Sequence, residues 1–409
     1  MACPYFDPEY EHLDLKINPP RVTVDNSSDT VCTVVKVDSQ NRHGILLELV
    51  QILSDLDLVI KKAYICSDGG WFMDVFHVTD QQGKKIAETK TVELMEKSLG
   101  PQSYKKKKPR HHHTTVELIG KDRPGLLSEI SAVLANLCIN VVAAEVWTHN
   151  NRIACVLYIN DNDGAKLSIM EQRLKSLTAR TNLSMGFTHT DRRLHQMLFA
   201  DRDYEENPDP DVGSSTLVTI EHCADKDYSV LNVRCQDRAK LMFDIVCTLT
   251  DMQYVVFHAA ITSDGPTASQ EYFIRHIDGC TLDTEEERER VVKCIEAALQ
   301  RRVSEGISFE LCGKDRVGLL SEVTRVLREN GLCVRRAGVS TVGEDAMNVF
   351  YVRDAYGRSI DTKTIEAVRN EIGQTAMLNV KPAPVKDVPV RPWKKTALFF
   401  GNLFDKFLS

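Results

Sequence analysis

The sequence predicts an α+β chain of four βαββαβ units arranged as two tandem pairs. Three observations carry the prediction. A nine-residue run occurs twice, as Lys121-Asp122-Arg123-Pro124-Gly125-Leu126-Leu127-Ser128-Glu129 and as Lys314-Asp315-Arg316-Val317-Gly318-Leu319-Leu320-Ser321-Glu322, differing only at Pro124 and Val317. Weaker copies stand at Asn41–Glu48 and Asp237–Asp244. Each copy is followed by the same succession of apolar periods, first helical, then alternating, then a second helix. A repeat of this kind fixes the unit from which the fold is built.

The first copy opens with a β-like run, Val22–Asp25, and its turn ends at Gly44. Ile45, Leu46, Leu49, Ile52, Leu53 and Leu56 then recur at helical spacing. Strands are expected over Ile60–Ile65 and Trp71–Val78, around the turn residues Asp68-Gly69-Gly70. In the second copy the strand-like Val116–Gly120 leads into the turn, and Leu126, Leu127, Ile130, Val133, Leu134 and Leu137 form the helical stripe. Asn140–Thr148 and Arg152–Ile159 follow as a hairpin, and Leu183–Phe187 is a closing strand.

The third copy opens with Val218–Glu221, as far ahead of its turn as Val22 is of Gly44. Leu241, Met242, Ile245, Val246 and Leu249 make its helix face, and Val255–Thr262 and Gln270–Ile277 its hairpin. The fourth runs from Phe309–Gly313 through Leu319, Leu320, Val323, Val326 and Leu327 to Cys333–Thr341 and Ala346–Val352, and closes with Met377–Val380. Strand, helix, strand, strand, helix needs one more strand to complete a ferredoxin-like sandwich. Copies two and four carry it at the end. Copies one and three lack it there and have a leading run instead, which fills the edge that would otherwise stay unpaired.

A two-domain block was therefore duplicated. The expected domains span 20–100, 114–188, 215–304 and 305–382, with a linker at 189–214 and a C-terminal tail at 383–409. On this reading a cut near residue 205 gives two soluble halves.

With a formal charge of −7, the 409-residue chain has no overall basic field to recruit nucleic acid. No apolar run approaches the roughly 18 residues of a membrane helix, and the N-terminus lacks the basic and apolar regions of a signal peptide. The twelve cysteines are scattered, without Cys-x-x-Cys or a paired Cys/His spacing. Reduced thiols are the expectation, with Cys138, Cys155, Cys247 and Cys294 on apolar faces.

The strand, the Asp-Arg-Pro-Gly-Leu-Leu turn, the helix and the hairpin resemble the ACT domain, a regulatory module that binds amino acids. Four copies without an enzyme domain resemble the plant ACT-domain-repeat proteins. Their pairing is similar to the tandem ACT tail of bacterial uridylyltransferases that sense glutamine, and the run His189–Tyr204 looks like the linker of that family.

The resemblance implies a non-enzymatic regulatory or sensor protein that holds a free amino acid where two units meet, beside the first strand–helix turn. The implied ligand-binding residues are Asp122, Gly125, Leu126, Leu127 and Asn140 in the second copy, and Asp315, Gly318 and Leu319 in the fourth. Gly125 and Gly318 lack a Cβ and let a ligand come close. The helix N-terminus offers N–H groups to an α-carboxylate, and Asp122 or Asp315 receives the α-ammonium through a charge-assisted bond. By likeness to serine-sensing ACT domains, Asn140 adds an amide; its counterpart Cys333 cannot, so the second copy is the better equipped.

A second reading stays open: Asp as a helix N-cap and Gly serving the backbone alone. In copy three Lys240 replaces the glycine and is expected to fill the cleft in a structural role. Copy one keeps Gly44 but has Asn41 for the acid.

No catalytic residue, cofactor or metal ligand is expected. The spacing Gly120-(x)4-Gly125 imitates part of a phosphate loop, but Leu126-Leu127 replaces its Lys-Ser/Thr pair. Lys105–Arg110 reads either as a nuclear signal or as a solvated linker; the cytoplasm is expected, and the nucleus as well on the first of these readings. The aromatic tail Trp393–Leu408 is expected to dock on the protein itself or on a partner, in preference to a membrane surface. A homo-oligomer is compatible with the repeat. The alternative to a sensor is a ligand-free interaction scaffold using the same surfaces.

Overall fold

The computed structural model describes residues 20–68, 70–87, 89–99, 113–160, 163–185, 189–205, 216–223, 227–302, 307–356, 358–373 and 377–381. The basic run Lys105–Arg110 and the tail 383–409 lie outside the described residues.

The first copy comprises β1 (Arg21–Asp25), β2 (Thr33–Gln40), α1 (Ile45–Asp55), β3 (Val59–Asp68), β4 (Trp71–Thr79) and α2 (Thr89–Leu99). The second comprises β5 (Thr114–Lys121), α3 (Leu126–Asn136), β6 (Val141–His149), β7 (Arg152–Ile159), α4 (Gly164–Leu177) and β8 (Arg180–Met185). Helix α5 (Thr190–Ala200) follows, inside the segment expected as a linker. The third copy has β9 (Leu217–Cys223), β10 (Tyr228–Gln236), α6 (Leu241–Asp251), β11 (Tyr254–Asp264), β12 (Thr267–His276) and α7 (Glu285–Arg301). The fourth has β13 (Ile307–Lys314), α8 (Leu319–Glu329), β14 (Leu332–Val342), β15 (Asp345–Asp354), α9 (Thr362–Ile372) and β16 (Met377–Lys381).

The leading strands fill the open edges. β1 pairs with β2 and β9 with β10, in the places that β8 and β16 occupy beside β5 and β13. One edge position is thus supplied from opposite ends of the unit, which protects it in all four copies.

The duplication is in tandem, but the sheets join across it. Copies one and three form one eight-stranded antiparallel sheet, ordered β1-β2-β4-β3-β11-β12-β10-β9, and copies two and four form the other, β16-β13-β15-β14-β6-β7-β5-β8. In the second sheet Glu145 and Gly338, which hold the same place in their copies, are register partners, so a local two-fold axis runs between them. Tyr64 and Ala260 play that part in the first. A cut near residue 205 thus divides both sheets at their central pairing, which runs against the expectation of two soluble halves. Each sheet buries one face under its four helices, in two separate apolar cores.

Helix α5 ties the two layers together. Its Leu194, Met197 and Leu198 bury the outer face of the second copy, covering Ile119, Trp147, Ala154, Val156 and Tyr158. Around it lies a buried ionic junction. Arg301 clamps Asp203 at 2.5 and 2.7 Å, and Asp203 also meets His149 Nδ1 at 2.8 Å. Arg302 reaches Asp244 at 2.8 Å and Asp191 at 3.1 Å, with its guanidinium 4.8 Å from the Trp147 ring centre. Burial alone would raise the Asp244 carboxyl, but Arg302, Arg238 and His195 hold it well below the usual range. Buried charges of this kind need such complete pairing.

Candidate functional site

All four motif turns end on a left-handed residue that starts the helix: Gly44 at φ 82°, Gly125 at 83°, Lys240 at 61° and Gly318 at 87°. The motif arginine then clasps an acid in the first turn, pairing Arg42 with Glu48, Arg123 with Glu129, Arg238 with Asp244 and Arg316 with Glu322. These two features explain why Arg, the turn residue and the acid repeat together.

The turns face their partner copies across the local two-fold axes. Asn140 therefore does not sit with Asp122. Its Nδ2 donates to Asp315 Oδ2 at 2.9 Å, and Thr341 Oγ1 donates to the same oxygen at 3.1 Å. The cleft of Asp315, Gly318 and Leu319 is walled by Asn140 and Ala135 of copy two, whereas that of Asp122, Gly125, Leu126 and Leu127 is walled by Arg328 and Cys333 of copy four. The expected grouping of Asp122 with Asn140 is corrected accordingly: the strand after each helix leads away from its own turn and toward the partner's. Leu126, Leu127 and Leu319 are buried and belong to the core as well as to the cleft walls.

The two clefts differ in access. A Cβ on Gly125 would lie 2.8 Å from Arg328 Cδ, whereas one on Gly318 would meet only the Ala135 methyl, at 3.9 Å. Arg328 thus packs close to Gly125, and Ala135, its counterpart, stands back from Gly318, although both clefts are narrow, enclosing about 30 and 20 Å³.

They also differ in charge. The strand after the first helix of every copy has a register shift, after Ile60, Val141, Val256 and Val334. A bulge re-aims a side chain, and the shifted residues are Lys61, Val142, Phe257 and Arg335. Lys61 Nζ reaches Asp237 of the partner copy at 3.2 Å. Burial pushes the Asp122 carboxyl up to about 6, opposed by the charges of Arg335 and Arg353. At the bulge matched with Asp315 the residue is Val142, so that carboxylate is met by an amide and a hydroxyl where the others have a cation.

A further polar group was not foreseen from the sequence. Asn348 on β15 is 2% exposed, lines the Asp315 cleft, and its Oδ1 has no hydrogen-bond partner among the described residues. A buried carbonyl left unpaired costs roughly 1–3 kcal/mol and marks a place for a donor. The sequence held a signal: the fourth position of this strand is Asp74, Cys155, Gln270 and Asn348 in the four copies, polar or thiol in every case on an inward face. The space enclosed in the Asp315 cleft is about 20 Å³, room for one water. Arg316, exposed, and Leu320, half-buried, also line this cleft.

Lys240 lines the narrow copy-three cleft and has a structural partner. Its Nζ pairs with Asp191 of α5 at 2.7 Å, which makes this copy part of the junction, while its backbone keeps the left-handed conformation of the glycines. Among the cysteines, Cys155, Cys247 and Cys294 are buried, but Cys138 is exposed at a turn with φ 54°. Among the described residues no cluster of three or more His, Cys, Asp or Glu can hold a metal, and no helix is long and apolar enough to cross a membrane.

A model of the ACR family N-terminal ACT domain matches residues 28–106, and a model of the ACT domain matches residues 114–173 and 229–296. The chain is similar to ACT domain-containing protein ACR3 of Arabidopsis thaliana, at 60% identity over 99% of this chain and 98% of that protein. It is similar to ACT domain-containing protein ACR4 of the same plant, at 52% identity over 97% and 95%. A bifunctional uridylyltransferase/uridylyl-removing enzyme of Azospirillum brasilense is 39% identical over 82 residues, which are 20% of this chain and 9% of that enzyme.

Proposed function

Because this chain belongs to the ACR family of ACT-domain proteins, we propose that it is a non-enzymatic sensor that binds a free amino acid between its second and fourth copies. Asp315 receives the α-ammonium, beside Asn140 and Thr341. The N-terminus of α8 receives the α-carboxylate through its first-turn N–H groups, and the ligand supplies a donor to Asn348. The observation that carries this reading is the Asp315 carboxylate with an amide in place of a cation, in one cleft with a buried carbonyl that has no partner among the described residues.

The closed cleft supplies the regulatory step. An amino acid must part α3 from α8, which pack on each other across the local axis, and so changes the shape of the whole second sheet. Residues 189–205 and α7 carry that change to the first sheet through the ionic junction. The domain boundaries 20–100, 114–188, 215–304 and 305–382 are kept in this proposal, as is a cytoplasmic location, with entry to the nucleus if Lys105–Arg110 acts as a targeting signal.

The small cleft favours a second reading, a scaffold that binds no ligand. Thermal denaturation of the intact chain against each proteinogenic amino acid at millimolar concentration separates the two. A dose-dependent rise in melting temperature with one class of amino acid supports the sensor, and no rise with any supports the scaffold.

A further inference from the structure

The two copies that share the second sheet present outer faces of one design, and α5 covers only that of copy two. There Ile119, Trp147, Ala154, Val156 and Tyr158 are all buried, and Tyr158 OH lies 2.9 Å from Thr190 Oγ1 at the start of α5. The same five positions in copy four are Cys312, Ser340, Met347, Val349 and Tyr351. Met347 is 52% exposed, Cys312 and Ser340 are exposed, and Val349 and Tyr351 are half-buried. Val342, at the end of β14, is 64% exposed.

The chain leaves both faces at equivalent points. β8 and β16 are the outermost strands at opposite ends of this sheet, and α5 begins shortly after β8. The sequence beyond β16 carries Trp393, Ala397, Phe400, Phe404 and Phe407, apolar residues at i, i+4, i+7, i+11 and i+14. The eleven residues between Lys381 and Trp393 span at most roughly 36 Å when extended, ample for a return across the sheet.

We propose that the outer face of the fourth copy is the docking surface for the chain's own segment Trp393–Leu408, which covers Met347, Val349 and Tyr351 as α5 covers Ala154, Val156 and Tyr158. The segment supplies aromatic area where the platform supplies a thioether, a favourable contact, and burial removes an apolar patch from water.

The test follows alkylation of Cys312 in the full-length protein, read peptide by peptide, with exposed Cys138 and Cys280 as references on the same sample. It is repeated on protein lacking 383–409 and on the full-length Phe400→Asp/Phe404→Asp variant, whose retained fold is checked by its melting curve. The expected result is a Cys312 rate at least tenfold faster in both variants, with Cys138 and Cys280 unchanged and the protection independent of protein concentration. Equal Cys312 rates in all three proteins overturn the proposal. So does protection that rises with concentration alongside a dimer, since a second copy then covers the face.

Discussion

The Asn140 side-chain amide of copy two lies 2.9 Å from the Asp315 carboxylate of copy four, although the two residues are 175 positions apart. The contact crosses the local two-fold axis of the second sheet, so the candidate site belongs to neither copy alone. Its consequences reach from the ligand to the way the whole chain folds.

Asn348→Leu should separate stability from binding. Removing the unpaired carbonyl is expected to stabilise the ligand-free protein by roughly 1–2 kcal/mol, while the amino acid loses a partner and binds more weakly. Chemical denaturation and titration on the same preparations check both signs.

The cleft of Asp122 should be convertible into a second site. Arg328→Ala, Cys333→Asn and Arg335→Val together give it the residues found at Ala135, Asn140 and Val142 in the other. Calorimetric stoichiometry is expected to rise from one toward two ligands per chain. Arg328→Ala alone is expected to leave it at one, because Arg335 still opposes an incoming ammonium at Asp122.

Splitting the chain near residue 205 should give fragments that do not fold alone. Each would expose the central edge of both sheets, β3 and β6 in one fragment, β11 and β14 in the other. Co-expressed fragments are expected to elute as one complex and unfold cooperatively, and isolated fragments to aggregate.

Arg302→Ala should cost less than the roughly 3–5 kcal/mol of a fully orphaned buried charge, because Asp244 keeps Arg238 and His195 and Asp191 keeps Lys240. His195 gives the same junction a pH dependence. Burial lowers its pKa, despite the attraction of Asp244, and its Nδ1 faces the Arg301 guanidinium at 3.1 Å. The unfolded chain takes up a proton near pH 6.5 that the native state refuses. Stability is therefore full above about pH 6.5 and falls as pH drops through that value toward the lower native pKa. His195→Gln, which keeps a donor for Asp244, is expected to flatten the slope of denaturation midpoint between pH 5 and 7.

Much of the fold is legible in the sequence. Gly125 and Gly318 mark left-handed turns, the apolar stripes give the helices, and Val22–Asp25 and Val218–Glu221 stand where an edge needs a strand. Which copies share a sheet is not legible, because β3 and β11 meet through register, and each would suit another partner's apolar alternation as well. The same gap hid the site. Asp122 and Asn140 lie close in sequence and suggest one pocket, but the two-fold axis exchanges their partners. Lys240 read as a structural side chain in its cleft; its left-handed backbone is accompanied by an ion pair with Asp191, which no local pattern announces. Asn348 carries a signal only when all four copies are set side by side.

The central claim is that the amino acid sits at Asp315 with Asn140 from the other copy. Ligand affinity of Asn140→Ala, Asp315→Ala, their double variant and Asp122→Ala, measured by calorimetry beside melting temperature, tests it most directly. Asp315→Ala is expected to lose roughly 1.5–3 kcal/mol of binding, Asn140→Ala somewhat less, and the double variant less than the sum, as contacting residues do. Asp122→Ala is expected to bind like the parent. Unchanged affinity in Asn140→Ala and Asp315→Ala, with a loss confined to Asp122→Ala, would contradict the account.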